Sequence, residues 1–173
     1  MKEYRELREQ EDITSDTGFE EMIRQRLSHK YKMQREIVDD VIDTWIMKNP
    51  LSLIKKYRDK TLLSWIQKLQ GENKKVYVYS DYPVVDKLSA MELTVDAMYW
   101  PDGKHIHTLK PEPSGLNYIL QENNVERSEA VFIGDRYKKD GMCAKSAGID
   151  FLILEKTKGK RVAQYATIGD IDL

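Results

Sequence analysis

The sequence lacks the features that mark secreted, membrane-spanning and nucleic-acid-binding proteins. Its single cysteine, Cys143, cannot form an internal disulfide. No apolar run approaches the ~20 residues that a membrane span needs, and the charged start MKEYRELREQED is unlike a signal peptide. With 28 basic and 29 acidic residues, the chain has no excess charge to attract nucleic acid. We therefore expect a cytoplasmic protein with neither a membrane nor a nucleic acid as partner.

The 173 residues that are present suffice for one domain with a sizeable core, and residues 1–70 are patterned as helices. Residues 1–12 are so charged that they predict only a frayed or solvent-facing helix. Apolar residues recur at helical spacing over 19–31 and again over 37–46, and Asn49 with Pro50 is expected to stop the second helix. A third helix over 62–69 ends near Gly71, a typical C-terminal cap.

From Gly71 onward the pattern changes to alternating strands and helices. Strands are predicted over 75–80, 95–99, 131–133 and 151–154, with helices over 84–91, 114–122 and 141–147 between them. Strand, helix, strand is the outline of a right-handed crossover between parallel strands. The predicted fold class of residues 71–173 is therefore α/β, a Rossmann-like parallel sheet flanked by helices.

Two carboxylates follow the apolar run that ends at Gly134. Asp135 comes directly after it and Asp140 five residues later, where functional groups gather at the carboxyl ends of parallel strands. Two such carboxylates could hold Mg²⁺, which prefers oxygen ligands and keeps several waters. The alternative interpretation is that Asp135 is a turn residue and Asp140 a charge at a helix N-terminus.

Other residues with chemical potential have simpler interpretations. His105 and His107 alternate on an extended stretch, as metal ligands can, but the chain has one further histidine, His29, and no cysteine near them. We interpret them as exposed loop histidines. Cys143 lies among small residues of a predicted helix and is expected to be packed and inert.

Three segments carry a family resemblance. VYVYSDYP, LKPEPSGL and VFIGDRYKKDG, in this order and spacing, resemble the second, third and fourth motifs of the haloacid dehalogenase-like hydrolase superfamily. The resemblance spans residues 75–154, and the helices before Gly71 are similar to the cap that many of these proteins carry. It implies a helical cap-like region over residues 1–70 and a phosphatase-like α/β core over residues 71–173.

The resemblance also implies roles for single residues. Ser80 and Asp81, with the neighbouring backbone amides, would bind a phosphate group. Lys110 would place a positive charge against the phosphoryl group and contribute to catalysis. Asp135 would bind Mg²⁺, and Asp140 would be a second ligand or an outer support. The implied substrate is a small phosphorylated molecule.

The family's first motif has no counterpart before Phe19. That motif is an apolar strand ending in two aspartates one residue apart, of which the first is the nucleophile. Asp12 and Asp16 have the wrong spacing, and no buried strand precedes them. Hydrolysis by this chain alone is therefore expected to be near background. One hypothesis is a Mg²⁺-dependent phosphohydrolase whose first strand lies outside this chain; the other is a non-catalytic module that retains the phosphate and Mg²⁺ groups for binding or scaffolding.

Loss of that strand would open a gap in the sheet. By resemblance, the first strand lies between the strand ending at Ser80 and the strand ending at Gly134. These two strands could pair with each other, the N-terminal segment could cover the gap, or another chain could supply a strand. Since residues 1–12 are too charged for a central strand, we expect self-association or incomplete stability.

Overall fold

The computed structural model describes residues 2–9, 15–102, 104–157 and 160–166. From residue 155 onward it describes the backbone alone. These residues form two compact units. Those up to residue 104 belong to the first unit, and those from His105 onward belong to the second. Among the described residues, no helix is both long and apolar enough to cross a lipid bilayer.

The first unit begins with a series of helices. Their bounds are α1 Lys2–Glu9, α2 Phe19–Tyr31, α3 Arg35–Ile42, α4 Asn49–Tyr57 and α5 Lys60–Gly71. A π-helical segment, Asp43–Lys48, joins α3 to α4 with helical backbone throughout. The predicted stop at Asn49 and Pro50 is wrong. Pro50 lies in the first turn of α4, where the N–H that proline lacks would need no intrahelical partner.

Ion pairs connect α2 to the helices that follow it. The Arg24 guanidinium donates to Asp39 at 3.0 Å and to Asp43 at 2.5 Å. Arg35 donates through both terminal nitrogens to the carboxylate of Glu21, at 2.7 Å each. Partial burial acts to lower the pKa of Arg24, but the hydrogen bonds that its guanidinium donates to Asp43 and Asp39 outweigh burial and raise it, so the guanidinium remains charged.

Helix α1 corrects the expectation for the N-terminal segment. Residues 2–9 are helical, as predicted, but Tyr4 and Arg8 are fully buried instead of facing solvent. The two residues are one helical turn apart and share a face. The Arg8 guanidinium lies against the rings of Phe19 and Tyr82 at 6.0 and 4.9 Å. A charged segment can therefore be buried on one face when that face carries an aromatic ring and a cation with partners.

A short parallel sheet completes the first unit. Strands β1 Tyr77–Tyr79 and β2 Ala97–Tyr99 pair in parallel with Val78 opposite Met98, and α6 Val85–Met91 lies between them in the chain. The predicted strand, helix, strand order and the parallel direction are confirmed here. Each strand is shorter than the range predicted for it, 75–80 and 95–99.

The second unit contains the other described sheet. Its elements are α7 Ser114–Glu122, β3 Val131–Gly134, α8 Met142–Ala147, β4 Asp150–Thr157 and β5 Lys160–Ala166. Strands β3 and β4 pair in parallel, as predicted, and β5 adds an antiparallel strand that the sequence analysis missed. The core beneath the sheet is formed by buried apolar side chains of α7, α8 and β4, namely Leu116, Ile119, Ala144, Phe151 and Ile153. Gly148 ends α8 with a positive φ of 70°, a conformation that favours glycine.

The two sheets bear on the expected gap. In the described residues β1 pairs with β2, whereas β3 pairs with β4 and belongs to the other sheet. Pairing of β1 with β3, one of the three expected ways to cover the gap, is therefore not found there. Self-association stays a prediction.

Candidate functional site

Lys110 and Asp140 form a buried ion pair in the second unit. The Lys110 ammonium donates to Oδ1 of Asp140 at 2.7 Å, and the two side chains are only 8% and 6% exposed. The Nζ atom also lies 5.6 Å from the centroid of the Phe132 ring, a residue of β3. Two opposite charges this far from water are stable only when their geometry is good and the remaining oxygens have donors.

Backbone amides supply those donors to Asp140. Its second oxygen, Oδ2, accepts the N–H of Asp135 at 3.2 Å and the N–H of Arg136 at 3.1 Å. A π-helical turn, Tyr137–Gly141, brings the side chain back toward the end of β3. Both carboxylate oxygens of Asp140 are therefore occupied by donors from the protein itself.

Gly134 makes this return possible. A Cβ atom at residue 134 would lie 2.4 Å from the Cβ of Asp140 and 2.7 Å from its Oδ2. Real Cβ atoms do not approach other atoms that closely, so any other residue would displace the carboxylate. The glycine at the end of β3 thus has a steric cause: Gly134 leaves the space that the side chain of Asp140 fills.

Asp135 differs from Asp140 in its surroundings. It follows β3 directly and is exposed, so its carboxylate can exchange water for a ligand. Mg²⁺ commonly takes one or two protein carboxylates and completes its shell with waters and substrate oxygens, which this residue fits. Among the described residues, no group of three or more histidine, cysteine, aspartate and glutamate side chains is gathered as a metal cage. The two roles expected of Asp140, second ligand or outer support, stay predictions.

The predicted phosphate-binding residues Ser80 and Asp81 lie in the first unit, directly after β1. The Ser80 N–H donates to the carbonyl of Tyr99 at 3.1 Å, and its Oγ accepts the N–H of Tyr82 at 3.1 Å. This is a turn closed by a serine hydroxyl, which keeps its own O–H to donate. Asp81 is buried, and its carbonyl oxygen accepts a hydrogen bond from the Arg8 guanidinium.

Arg8 contacts the predicted phosphate-binding turn, and the sequence analysis did not predict this contact. Its guanidinium donates to the carbonyl of Asp81 and to Glu20, and the Tyr4 hydroxyl donates to the same glutamate oxygen at 2.5 Å. Burial raises the pKa of Tyr4, so the phenol remains a donor. The only local signal was the spacing of Tyr4 and Arg8 by four residues, which indicates a shared face but not a partner.

A second cation lies beside the turn after β1. The Lys87 ammonium is 4.8 Å from the centroid of the Tyr82 ring, the same ring that Arg8 contacts. Burial, followed by the nearby charge of Arg8, lowers the pKa of Lys87. The Ser80 turn therefore adjoins two positively charged side chains, of which Arg8 is paired with the Glu20 carboxylate.

The remaining candidates have structural roles. The ring of His105 stacks on Tyr118, with centroids 5.4 Å apart. His105 is exposed and His107 is half-buried. Cys143 is fully buried, and its Sγ donates to the carbonyl of Glu112 at 3.3 Å, in agreement with a packed and inert thiol.

The motifs and the site geometry agree with a family match. The model of the family described as haloacid dehalogenase-like hydrolase matches residues 3–154. The chain belongs to the haloacid dehalogenase-like hydrolases. The resemblance noted in the three motifs is thereby confirmed, and the α/β fold is the fold expected for this family.

Two solved structures, the first of a haloacid dehalogenase-like (HAD) phosphatase, are similar to the chain. A HAD phosphatase from Thermococcus onnurineus is 18% identical, with a TM-score of 0.53 over 79% of this chain and 77% of that one. A putative phosphoglycolate phosphatase from Lactobacillus delbrueckii subsp. bulgaricus is 19% identical, with a TM-score of 0.46 over 70% of this chain and 52% of that one. The first likeness confirms the mixed α/β fold with parallel strands. None of the curated proteins matches the chain in sequence.

Proposed function

We propose that this HAD-like hydrolase is of the Mg²⁺-dependent phosphohydrolase type and acts on a small phosphate ester. The observation that carries the proposal is the Lys110–Asp140 pair, in which a buried ammonium is held at 2.7 Å by a carboxylate with both oxygens occupied. Phosphoryl transfer depends on positioning and charge neutralisation, and a fixed cation supplies both.

Each assigned residue has a separate task in this proposal, Lys110, Asp135 and Asp140 in the second unit and Ser80 and Asp81 in the first. Lys110 presents its charge to the phosphoryl oxygens, and Asp140 orients that charge without meeting the substrate. Asp135 holds Mg²⁺ through its exposed carboxylate, and the ion adds charge neutralisation when bound. Ser80 donates its hydroxyl to a phosphate oxygen, with Asp81 beside it in the same turn.

None of these residues is a nucleophile, which limits the activity expected of the chain alone. Asp135 is assigned to the metal, and both oxygens of Asp140 accept hydrogen bonds. Covalent catalysis therefore requires an additional carboxylate, for which a complementing segment carrying the family's first motif is the proposed source. The division into a cap-like region over residues 1–70 and a core over residues 71–173, and a cytoplasmic location, remain parts of this proposal.

The metal assignment is tested by calorimetry. Mg²⁺ is expected to bind the wild-type protein weakly, and Asp135→Asn is expected to abolish binding because it removes the charged oxygen ligand. Asp86→Asn, which alters another exposed carboxylate, is the matched control and should bind Mg²⁺ as the wild type does. Equal Mg²⁺ binding by wild type and Asp135→Asn would overturn the assignment.

Activity is tested with p-nitrophenyl phosphate and Mg²⁺. Hydrolysis by the purified chain should be close to background, and a peptide with an apolar strand ending in Asp-x-Asp should raise it. Robust turnover without the peptide, lost in Asp135→Asn, would show that the chain has a nucleophile of its own.

The second candidate function is a non-catalytic module that binds phosphate and Mg²⁺. The observation that favours it is that the assigned residues can orient a phosphoryl group and neutralise its charge, but none of them is a nucleophile that would attack phosphorus. Orthovanadate, a phosphate-like anion, distinguishes the two candidates when combined with the peptide. Binding of vanadate that depends on Lys110, with no hydrolysis under any condition, would support the module and contradict the hydrolase.

A further inference from the structure

The helical run from α3 to α4 carries a line of large apolar side chains that face solvent. The side chains of this apolar stripe are separated by four or eight residues and are between 42% and 72% exposed: Ile37 46%, Val41 42%, Trp45 58%, Leu53 57% and Tyr57 72%. Scattered apolar residues on a surface are normal, but a contiguous line of them marks an interaction site.

Helix geometry keeps the stripe on one side of the run. Four residues exceed one α-helical turn of 3.6, so a stripe with this spacing drifts slowly around a long α-helix. The π-helical segment Asp43–Lys48 has more residues per turn and rotates the chain back. The stripe from Ile37 to Tyr57 therefore extends along one face for about 30 Å.

Other residues of α3 are buried in the first unit. Val38 and Ile42 of α3 belong to the core, whereas their neighbours Ile37 and Val41 are on the exposed side. Helix α3 is thus apolar on two faces, of which one is already packed, whereas the π-helical segment and α4 have no buried residue. An amphipathic surface helix needs only one apolar face, so the second requires a partner.

Charges beside the stripe are divided between its two ends. Glu36 and Asp40 are exposed near its start, Lys48 is exposed near its middle, and Lys56 is exposed toward its end. Other charged residues of the run already form ion pairs within the chain: Arg35, Asp39, Asp43, Lys55 and Arg58. The stripe therefore presents an acidic end and a basic end, which a second copy lying antiparallel would match.

We propose that the apolar stripe is the interface of a two-fold symmetric dimer with a second copy of this chain. In an antiparallel register centred between Trp45 and Asn49, Ile37 faces Tyr57 of the other copy and Val41 faces Leu53. Glu36 and Asp40 of each copy then lie near Lys56 of the other. Such a self-complementary patch is the defining property of an isologous interface, the commonest kind in soluble oligomers.

The size of the stripe suits this occupant. Aromatic side chains bury about 150–250 Å² each, and stable interfaces bury about 800 Å² per partner. Trp45 and Tyr57, which are 58% and 72% exposed, contribute the largest part of the stripe's area, and three aliphatic neighbours and the flanking charges add to it. Trp45 lies near the two-fold axis, where residues of its type dominate binding energy.

Sedimentation velocity over a range of protein concentrations tests the interface. The wild type should show a reversible monomer–dimer equilibrium, and Trp45→Glu should raise its dissociation constant about 30-fold or more. Val85→Glu is the matched control, because Val85 is 49% exposed on α6 outside the stripe, and it should leave the constant within about twofold. A wild type that stays monomeric overturns the proposal. So does a dimer that Trp45→Glu leaves intact, which is the result expected if the copies associate through strand edges instead.

Charge reversal tests the antiparallel register independently of the tryptophan. E36K/D40K makes both ends of the stripe basic, and K48E/K56E makes both ends acidic, so each variant should be monomeric at low salt. Mixed in equal amounts, they should form a heterodimer. Circular dichroism confirms that each is folded, and failure of the folded mixture to associate overturns the register.

Discussion

Two buried cations, one in each unit, are held in different ways. Lys110 is paired with Asp140, a carboxylate that is only 6% exposed and takes its remaining hydrogen bonds from backbone amides. Arg8 is paired with Glu20, whose side chain is 26% exposed although its Oε2 atom is buried, and with the carbonyl of Asp81. A partly exposed acidic side chain tolerates the loss of its partner better than a nearly enclosed one. The comparison therefore predicts unequal costs for removing each cation.

Lys110→Met should have the largest effect. It leaves the buried Asp140 carboxylate with amide donors alone, and breaking a buried pair costs about 3–5 kcal/mol in the free energy of unfolding. Urea denaturation measures this loss, with Lys145→Met, an exposed lysine, as the control. The double variant K110M/D140N should recover part of the loss, because no buried charge remains. A cost of less than about 1 kcal/mol for Lys110→Met would show that the pair is hydrated.

Arg8→Met should cost less, about 2–3 kcal/mol. The change removes a donor to Asp81 and the contact with the Tyr82 ring, but Glu20 keeps the hydrogen bond from Tyr4 and the ion pair with Arg24. Arg5→Met alters an exposed arginine of the same helix and should be nearly neutral. An Arg8→Met loss equal to that of Lys110→Met in the same urea titrations would remove the distinction between the two cations.

Gly134→Ala sharpens the comparison by moving the carboxylate instead of the cation. The added Cβ would lie 2.4 Å from the Cβ of Asp140, so the side chain must shift, at about 1–3 kcal/mol. Gly71→Ala is the control, since a Cβ there meets nothing within 4 Å, and helix propensity predicts a gain of up to about 1 kcal/mol. Thermal unfolding measures both. A Gly134→Ala variant as stable as the wild type would show that Asp140 is not held as described.

The smallest effect concerns Lys87 and pH. Burial and Arg8 lower the pKa of Lys87 below its ordinary value of 10.5. Between the lowered pKa and 10.5 the unfolded chain binds more protons than the folded one, so this residue makes stability rise with pH in that window. Below the lowered pKa, the loss of stability caused by burying the charged Lys87 ammonium is fully present. Lys87→Met should lose this rise and be at least as stable as wild type at pH 7, as melting temperatures at several pH values would show. A melting temperature at pH 7 that is lower for Lys87→Met than for the wild type would contradict this prediction.

Local pattern predicted much of the fold. Helical spacing located α2 and α7, β-branched runs located the parallel strands, and Gly148 was correctly placed after a helix. The errors arose where context outweighs propensity. Pro50 was expected to end a helix but fits into the first turn of the next one, and β5 contains the polar residues of an edge strand, which no alternation distinguished.

The candidate site was predicted unevenly for the same reason. Asp135 and Asp140 are five residues apart, and that spacing in a turn after a strand already places them near each other. The pairing of Asp140 with Lys110 spans 30 residues, and neither local spacing nor the motif resemblance predicted it. The bond from Arg8 to Asp81 spans 73 residues and had no indication of either kind.

By itself, then, the sequence determined the elements and the residue types available at each strand end, because propensity, periodicity and turn chemistry act over a few residues. Only the tertiary structure decided which charges are enclosed and which meet water. Enclosure depends on side chains that approach from distant parts of the chain, such as Lys110 for Asp140 and the backbone space at Gly134 that admits it. The free energy of a buried charge depends on those neighbours and not on its place in the sequence.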